Sequence, residues 1–204
     1  MTLLLRINSS SRQTGSHSTE IADHFEGCFR NKYPDCRVVN RHVSDGSIPL
    51  ISQKTIEGFY TPDAAMTADL REATSLSDSL IDELQQADTL LITAPIYNFS
   101  VPAALKAWID QVVRMGHTFA YEDGAFRGLA RTRRAVVVCA YGAEGYLEGE
   151  PFAAANFVQP YLQFLLSFLG ITDIRFISVQ GTTADADTVA VNVEAAKKEC
   201  QLAA

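Results

Sequence analysis

Four stretches of this chain carry apolar and β-branched residues at strand length: Leu3–Ile7, Thr89–Thr93, Ala135–Cys139 and Ile174–Val179, three of them nearly continuous. A run without in–out alternation predicts a strand covered on both faces, the condition of a parallel sheet between two layers of helix. Cys36–Arg41, "CRVVNR", is a weaker candidate and predicts a strand nearer an edge. Between these runs the spacing changes to that of helices. Thr67–Ala87 sets Leu70, Leu76, Leu80, Ile81 and Leu84 in a stripe, and Pro102–Arg114 carries Leu105, Trp108, Ile109 and Val112 on one face. Further helices are predicted over Ser18–Lys32, from near Pro160 to Gly170, and over Ala184–Leu202. Ser16 or Ser18 would cap the first of these, and Ser100 the one that Pro102 begins.

Strands alternating with helices specify an α/β fold: a three-layer, doubly wound, parallel five-stranded sheet in the order 2-1-3-4-5, with right-handed crossovers. A chain of 204 residues with no repeat or linker is read as a single domain, residues 1–204. Two segments exceed ordinary connections, Val43–Met66 and Met115–Arg134. The second holds "FAYEDGAFRG", which predicts a short hairpin around Asp123-Gly124. Trp108 is placed in the core or at an interface, and Phe164 and Phe168, four apart on an apolar helix, are expected to be buried.

Composition narrows the function classes. With 47% hydrophobic and 20% charged residues the chain can build a sizeable core. Its net charge of −7 argues against nucleic acid or anionic membrane as a partner. Cys28, Cys36, Cys139 and Cys200 lie far apart with no C-x-x-C spacing, so neither a metal site nor a disulfide framework is predicted. "MTLLLRINSS" reads as a first strand and not as a signal peptide, and no apolar run approaches the ~18 residues of a membrane span. A cytoplasmic location is the resulting expectation.

In an open parallel sheet, ligands bind beyond the carboxyl ends of the strands, where strand order reverses. Three loops fall there. "NSSSRQTGSHS", residues 8–18, offers Ser9, Ser10, Ser11, Thr14, Ser16 and Ser18 as hydroxyl donors ahead of a helix N-terminus, a setting that suits a phosphate monoester. It lacks both G-x-x-x-x-G-K-[ST] and G-x-G-x-x-G, which disfavours a nucleoside triphosphatase and a tightly held dinucleotide. His17, taken by itself, reads as a solvated loop residue. In "TLLITAPIYNFSVPAALKAWIDQ", residues 89–111, Pro95 ends a buried strand and Tyr97, Asn98 and Phe99 follow at once. Aromatic faces beside an amide are what a flat heteroaromatic ring requires. Ala140-Tyr141-Gly142-Ala143 then follows the fourth strand with small residues that let a ligand approach backbone. Opening on one crevice, the three describe a site for a phosphorylated flat ring such as FMN.

The sequence resembles the FMN-dependent NADH-azoreductases, quinone reductases of flavodoxin-like fold, almost end to end. The resemblance rests on "SHS" at 16–18, "LSDSLIDEL" at 76–84, "APIYNF" at 94–99, "LKAWID" at 105–110, "TFAY" at 118–121, "PYL" at 160–162 and "LGITDIRF" at 169–176. It implies an FMN-dependent NAD(P)H oxidoreductase that reduces quinones and cleaves azo compounds by ping-pong hydride transfer, NADH or NADPH being the donor. It further implies a homodimer with FMN near the interface. Ser10, Ser16, His17 and Ser18 would surround the phosphate and ribityl chain. Ile96, Tyr97, Asn98 and Phe99 would lie along the ring, and Ala140, Tyr141, Gly142 and Ala143 at its pyrimidine edge. That last segment departs from the Ser-Arg-Gly-Gly common in the family, which leaves backbone amides but removes an arginine charge and a serine hydroxyl. Phe119 and Tyr121 are candidates for the acceptor pocket, from either subunit. A flavodoxin-type electron carrier, with the same cofactor and no substrate of its own, is the alternative reading.

Overall fold

The computed structural model describes residues 2–204. In chain order its main elements are β1 (Leu3–Asn8), α1 (His17–Lys32), β2 (Arg37–His42), α2 (Gln53–Tyr60), α3 (Ala68–Gln86), β3 (Thr89–Pro95), α4 (Ala103–Val112), β4 (Phe119–Glu122), β5 (Ala125–Gly128), β6 (Arg134–Ala140), α5 (Gln159–Phe168), β7 (Asp173–Val179) and α6 (Ala186–Ala203). Five strands form one parallel sheet in the order β2-β1-β3-β6-β7, the flavodoxin-like 2-1-3-4-5 arrangement. All seven residues of β3 are buried, whereas edge strand β2 is half exposed, as its weaker apolar pattern predicts.

Strand alternation divides the core into two layers. Leu5, Ile7, Ile92, Val137 and Cys139 face α3, α4 and α5, while Leu4, Leu91, Val136 and Val138 face α1 and α6. Each such side chain contributes roughly 1.5–3 kcal/mol of burial. Trp108 belongs to the first layer and is buried.

Four local expectations change or sharpen. The 43–66 connection contains α2, started by a capping box between Ser52 and Thr55. Ser100 does not cap α4; Pro102 holds that position, and the Ser100 backbone pairs with Tyr97 instead. Phe164 is exposed and Phe168 half-buried, because α5 turns Leu162, Leu165 and Leu166 inward. The hairpin forms where expected: β4 and β5 pair antiparallel about Asp123 (φ 52°) and Gly124 (φ 79°), the positive-φ pair of a type I′ turn.

That hairpin sits at the amino-terminal edge of the sheet. The Gln85 side-chain amide near the end of α3 donates to His117 O (2.9 Å) and Leu129 O (3.2 Å), and Ala130 N donates to Leu169 O (3.0 Å) just past α5. Both helices run antiparallel to the strands, so their carboxyl ends mark the edge opposite the strand carboxyl termini.

Candidate functional site

A crevice opens beyond the carboxyl ends of β1, β3 and β6, where the strand order reverses. It spans ≈ 570 Å³ counted out to and including its open mouth. Its walls come from the three loops singled out above and from a fourth, after β7. Ser10, Arg12, Ser16, Ser18, Ile96, Tyr97, Ala140 and Gly142 line it, as do Thr182 and Thr183 of the fourth loop.

The first loop gathers hydroxyls at the start of α1. Ser16 is the N-cap, accepting from Thr19 N (3.4 Å), and its hydroxyl donates to Ser10 Oγ (2.9 Å). Ser18 Oγ lies 3.2 Å from the same hydroxyl. The backbone amides of His17 and Ser18 donate to nothing among the described residues, as the first amides of a helix do, and the helix dipole adds about half a positive charge. His17 opens α1, with Nδ1 3.4 Å from Glu20 Oε2. Glu20 would repel an anion here, but Lys197 lies 2.8 Å from it, and that hydrogen bond holds the carboxyl below its ordinary range. Three hydroxyls, free amides and a neutralised carboxylate make a donor set for a phosphate monoester.

The second loop is strained. Asn98 (φ 48°) and Phe99 (φ 73°) occupy the centre of a two-residue turn closed by Tyr97 N to Ser100 O (3.0 Å) and Ser100 N to Tyr97 O (3.2 Å). Asn tolerates the left-handed region; Phe there costs on the order of 1–3 kcal/mol. The turn holds both aromatic rings out of the core, Tyr97 at 37% and Phe99 at 51% exposure, so they do not fill core space. Tyr97 lines the crevice, and its hydroxyl accepts from Ser11 N (3.1 Å), joining the first two loops. Ile96 lines it too, its amide committed to Ala140 O (2.9 Å). Asn98 instead lines an adjoining groove with Lys106 and Tyr161.

In the third loop, Ala140 and Gly142 reach the crevice and Ala143 is exposed. The Tyr141 side chain turns the other way. It is fully buried, stacked on Tyr146 (5.2 Å between centroids, 19°), and its hydroxyl accepts from Asn156 Nδ2 (3.2 Å). Burial pushes its phenol well above the ordinary range, and pushes the Cys139 thiol beneath it up to about 12, so both stay neutral near pH 7. At this segment only backbone and small side chains face a ligand.

Phe119 and Tyr121 lie on the hairpin at the opposite edge of the sheet. Phe119 packs against Phe126 (6.1 Å) and Phe168 (5.0 Å), and Tyr121 against Phe126 (4.9 Å). Tyr121, Phe126 and Phe164 are each more than half exposed, so this face is an aromatic patch that does not reach the crevice of its own chain. Arg12, Thr182 and Thr183 were not singled out from the sequence. Arg12 stands inside the quoted first loop, and the "GTT" at 181–183 follows the last strand as the other loops follow theirs, which was the available signal.

The family described as having a flavodoxin-like fold matches residues 2–203. An FMN-dependent NADH:quinone oxidoreductase of Xanthobacter autotrophicus is 47% identical over 86% of this chain and 84% of its own. Another, of Hydrogenovibrio crunogenus, is 35% identical over 98% of both. Among solved structures, an FMN-dependent NADH-azoreductase of Bacillus anthracis in complex with FMN superposes with a TM-score of 0.86 over 100% of both chains, at 21% identity. An azoreductase of the same species superposes at 0.89, also at 21% identity, over 100% of this chain and 98% of its own. At those identities the structural likeness concerns the fold.

Proposed function

The chain belongs to the flavodoxin-like family of FMN-dependent NADH:quinone oxidoreductases, and from that premise we propose that it uses FMN and NAD(P)H to reduce quinones and to cleave aromatic azo compounds to amines. The observation that carries the reading is the convergence, on one crevice at the strand-order reversal, of a hydroxyl-and-amide phosphate cradle with an aromatic turn and a small-residue loop. The donor set fits FMN. Ser10, Ser16, His17 and Ser18 hold its phosphate and ribityl chain, with Arg12 adding positive charge at the crevice wall. Ile96 and Tyr97 border the ring from the crevice wall, with Asn98 and Phe99 at its outer end on the adjoining turn, and Ala140, Tyr141, Gly142 and Ala143 follow its pyrimidine edge through backbone. Bound FMN supplies two-electron transfer between a nicotinamide donor and a quinone or azo acceptor. The protein positions these partners: its apolar walls orient flat rings, and its amides meet negative charge at the rim.

We further infer a single cytoplasmic domain that pairs as a homodimer in which the aromatic hairpin face of one protomer packs beside the crevice mouth of its partner, so that Phe119 and Tyr121 serve the partner's acceptor pocket. An exposed cluster of Tyr121, Phe126 and Phe164 supports this, since contiguous aromatic surface marks an interface. Among the described residues no helix is long and apolar enough to cross a membrane. Sedimentation velocity should find one species at about twice the 22.3 kDa chain mass, and Phe126→Asp should shift it to the monomer. A monomeric wild type would end the interface reading.

The enzymatic reading is tested by the visible spectrum of the purified protein and by turnover of NADH and NADPH with a benzoquinone and an azo dye. A yellow protein that NADH bleaches, and that turns NADH over continuously once a quinone or azo acceptor is supplied, is the expected result. Uptake of FMN without turnover would make the chain an electron carrier, and failure to take up FMN would overturn the assignment.

A further inference from the structure

The segment after β6 is tied to the segment after β7 in an unusual way. Thr182 donates to Tyr141 O through N (3.0 Å) and Oγ1 (3.1 Å), and Thr183 to Gly142 O through N (3.0 Å) and Oγ1 (2.8 Å). Gly181 N donates to Ala143 O (3.2 Å). Three consecutive carbonyls therefore point the same way, toward residues 181–183. No peptide bond among the described residues is cis, and in a trans peptide the N–H points opposite to its carbonyl. The amides of Gly142, Ala143 and Glu144 consequently all point away from the threonines, and none donates a hydrogen bond among the described residues. Successive amides aimed to one side form a nest, a concavity that favours an anion.

The nest is held from both sides. On the core side, buried Tyr141 is pinned by its stack on Tyr146 and by Asn156, whose Oδ1 accepts from Val158 N and Gln159 N (3.2 Å each). On the outer side stand the two threonine hydroxyls. The one ionisable side chain of the nest, Glu144, is drawn off to Asn192 Nδ2 (3.1 Å). With no cationic side chain between 140 and 144, the electrostatic character of this rim resides in the aim of its peptide dipoles.

We propose that Thr182 and Thr183 are positioning residues, whose hydroxyls fix an amide nest at the crevice rim that binds the cofactor more tightly when it carries the added negative charge of reduction. The proposal rests on the FMN reading above and goes beyond it, by assigning the cofactor's redox preference to two crevice-wall side chains outside the segment that presents the amides. Each hydroxyl doubles a backbone hydrogen bond to the same carbonyl. Removing it leaves the chain path in place and frees the peptide plane to rock.

The test compares wild type with Thr182→Val/Thr183→Val and with Thr182→Ser/Thr183→Ser, which keeps both hydroxyls. FMN dissociation constants are taken by fluorescence titration of apoprotein, and midpoint potentials by equilibration with reference dyes. Valine at both positions should weaken oxidised FMN about tenfold and the reduced form about a further tenfold. The second factor moves the two-electron midpoint about 30 mV negative. Serine at both should restore both values to within twofold of wild type, an outcome that a merely structural role of the threonine methyls would not give. If the double valine variant loses its melting transition, the single variants, which keep both backbone bonds, read the same two quantities at about threefold each. Wild type that takes up FMN alongside valine variants of unchanged affinity and potential would overturn the nest alone. Wild type that takes up none would overturn the nest and the functional reading together.

Discussion

Ser16→Asp is expected to lower FMN affinity about a hundredfold while leaving the protein folded. Aspartate is as good an N-cap as serine, so α1 keeps its start and the variant should melt within a few degrees of wild type. What changes is charge. The Ser16 hydroxyl lies 2.9 Å from Ser10 Oγ and 3.2 Å from Ser18 Oγ, at the middle of the hydroxyl cluster assigned to a phosphate. A carboxylate there meets a group carrying about −1.5 to −2 charges. At about 4 Å and an effective dielectric of 20 such a pair costs about 6–8 kcal/mol, and solvent and salt in an open crevice screen that to about 3. Each factor of ten in affinity is about 1.4 kcal/mol, which gives the hundredfold loss. Riboflavin, which lacks the phosphate, supplies the control: it should bind wild type and variant alike. FMN affinity within threefold of wild type would remove the phosphate from this loop. Equal losses for riboflavin and FMN would mean that the substitution had damaged the crevice in general.

Much of this fold could be read from the chain, and the exceptions have physical reasons. β3 is legible because a strand buried on both faces must be apolar throughout, and no competing signal interrupts it. α2 escaped because its stripe, Ile56, Phe59 and Tyr60, spans little more than one turn, too short to stand out from a loop, and Ile56 and Tyr60 are exposed. Its one local signal was Ser52 three residues ahead of Thr55. Phe164 was misplaced because four-residue spacing to Phe168 fixes a common face without saying which way it looks; Leu162, Leu165 and Leu166 take the core side.

The crevice was legible in the loops that follow β1, β3 and β6, since sheet topology alone decides where they open. Side-chain direction within them was less so. Tyr141 stands two residues after Cys139, and the period of a strand puts both on one face, with Cys139 already in the core. Carrying that alternation one step past the strand would have turned Tyr141 inward. Thr182 and Thr183 show the opposite limit. Nothing in "GTTAD" separates it from an ordinary turn ahead of the helix cap Asp185; its role arises from carbonyls some forty residues earlier in the chain.

Gly128→Ala is expected to destabilise the protein by about 2–4 kcal/mol while sparing the cofactor site. A Cβ at Gly128 would fall inside contact distance of the backbone of Leu169 and Gly170, and backbone cannot rotate aside as the tip of a side chain can. Relief requires the hairpin to lift from the end of α5, breaking Ala130 N to Leu169 O (3.0 Å) and separating Phe119 and Phe126 from Phe168. Overpacking against well-packed surroundings costs about 1–3 kcal/mol, and the lost hydrogen bond about 1 more. For a chain of this size each kcal/mol lowers Tm by about 2–4 °C, so calorimetry should register a fall of about 10 °C. Gly170→Ala makes a graded comparison: its added Cβ would stand 3.4 Å from Gly128, and the φ of +94° is the main strain, about 1–2 kcal/mol. Because the crevice opens at the other edge of the sheet, FMN affinity per folded molecule should be unchanged in both variants. The aromatic face should lose its shape in the first, so under the proposed pairing that variant should sediment as a monomer at concentrations where wild type is expected to pair. A Tm within 2 °C of wild type would mean that the hairpin and α5 do not meet through these two glycines.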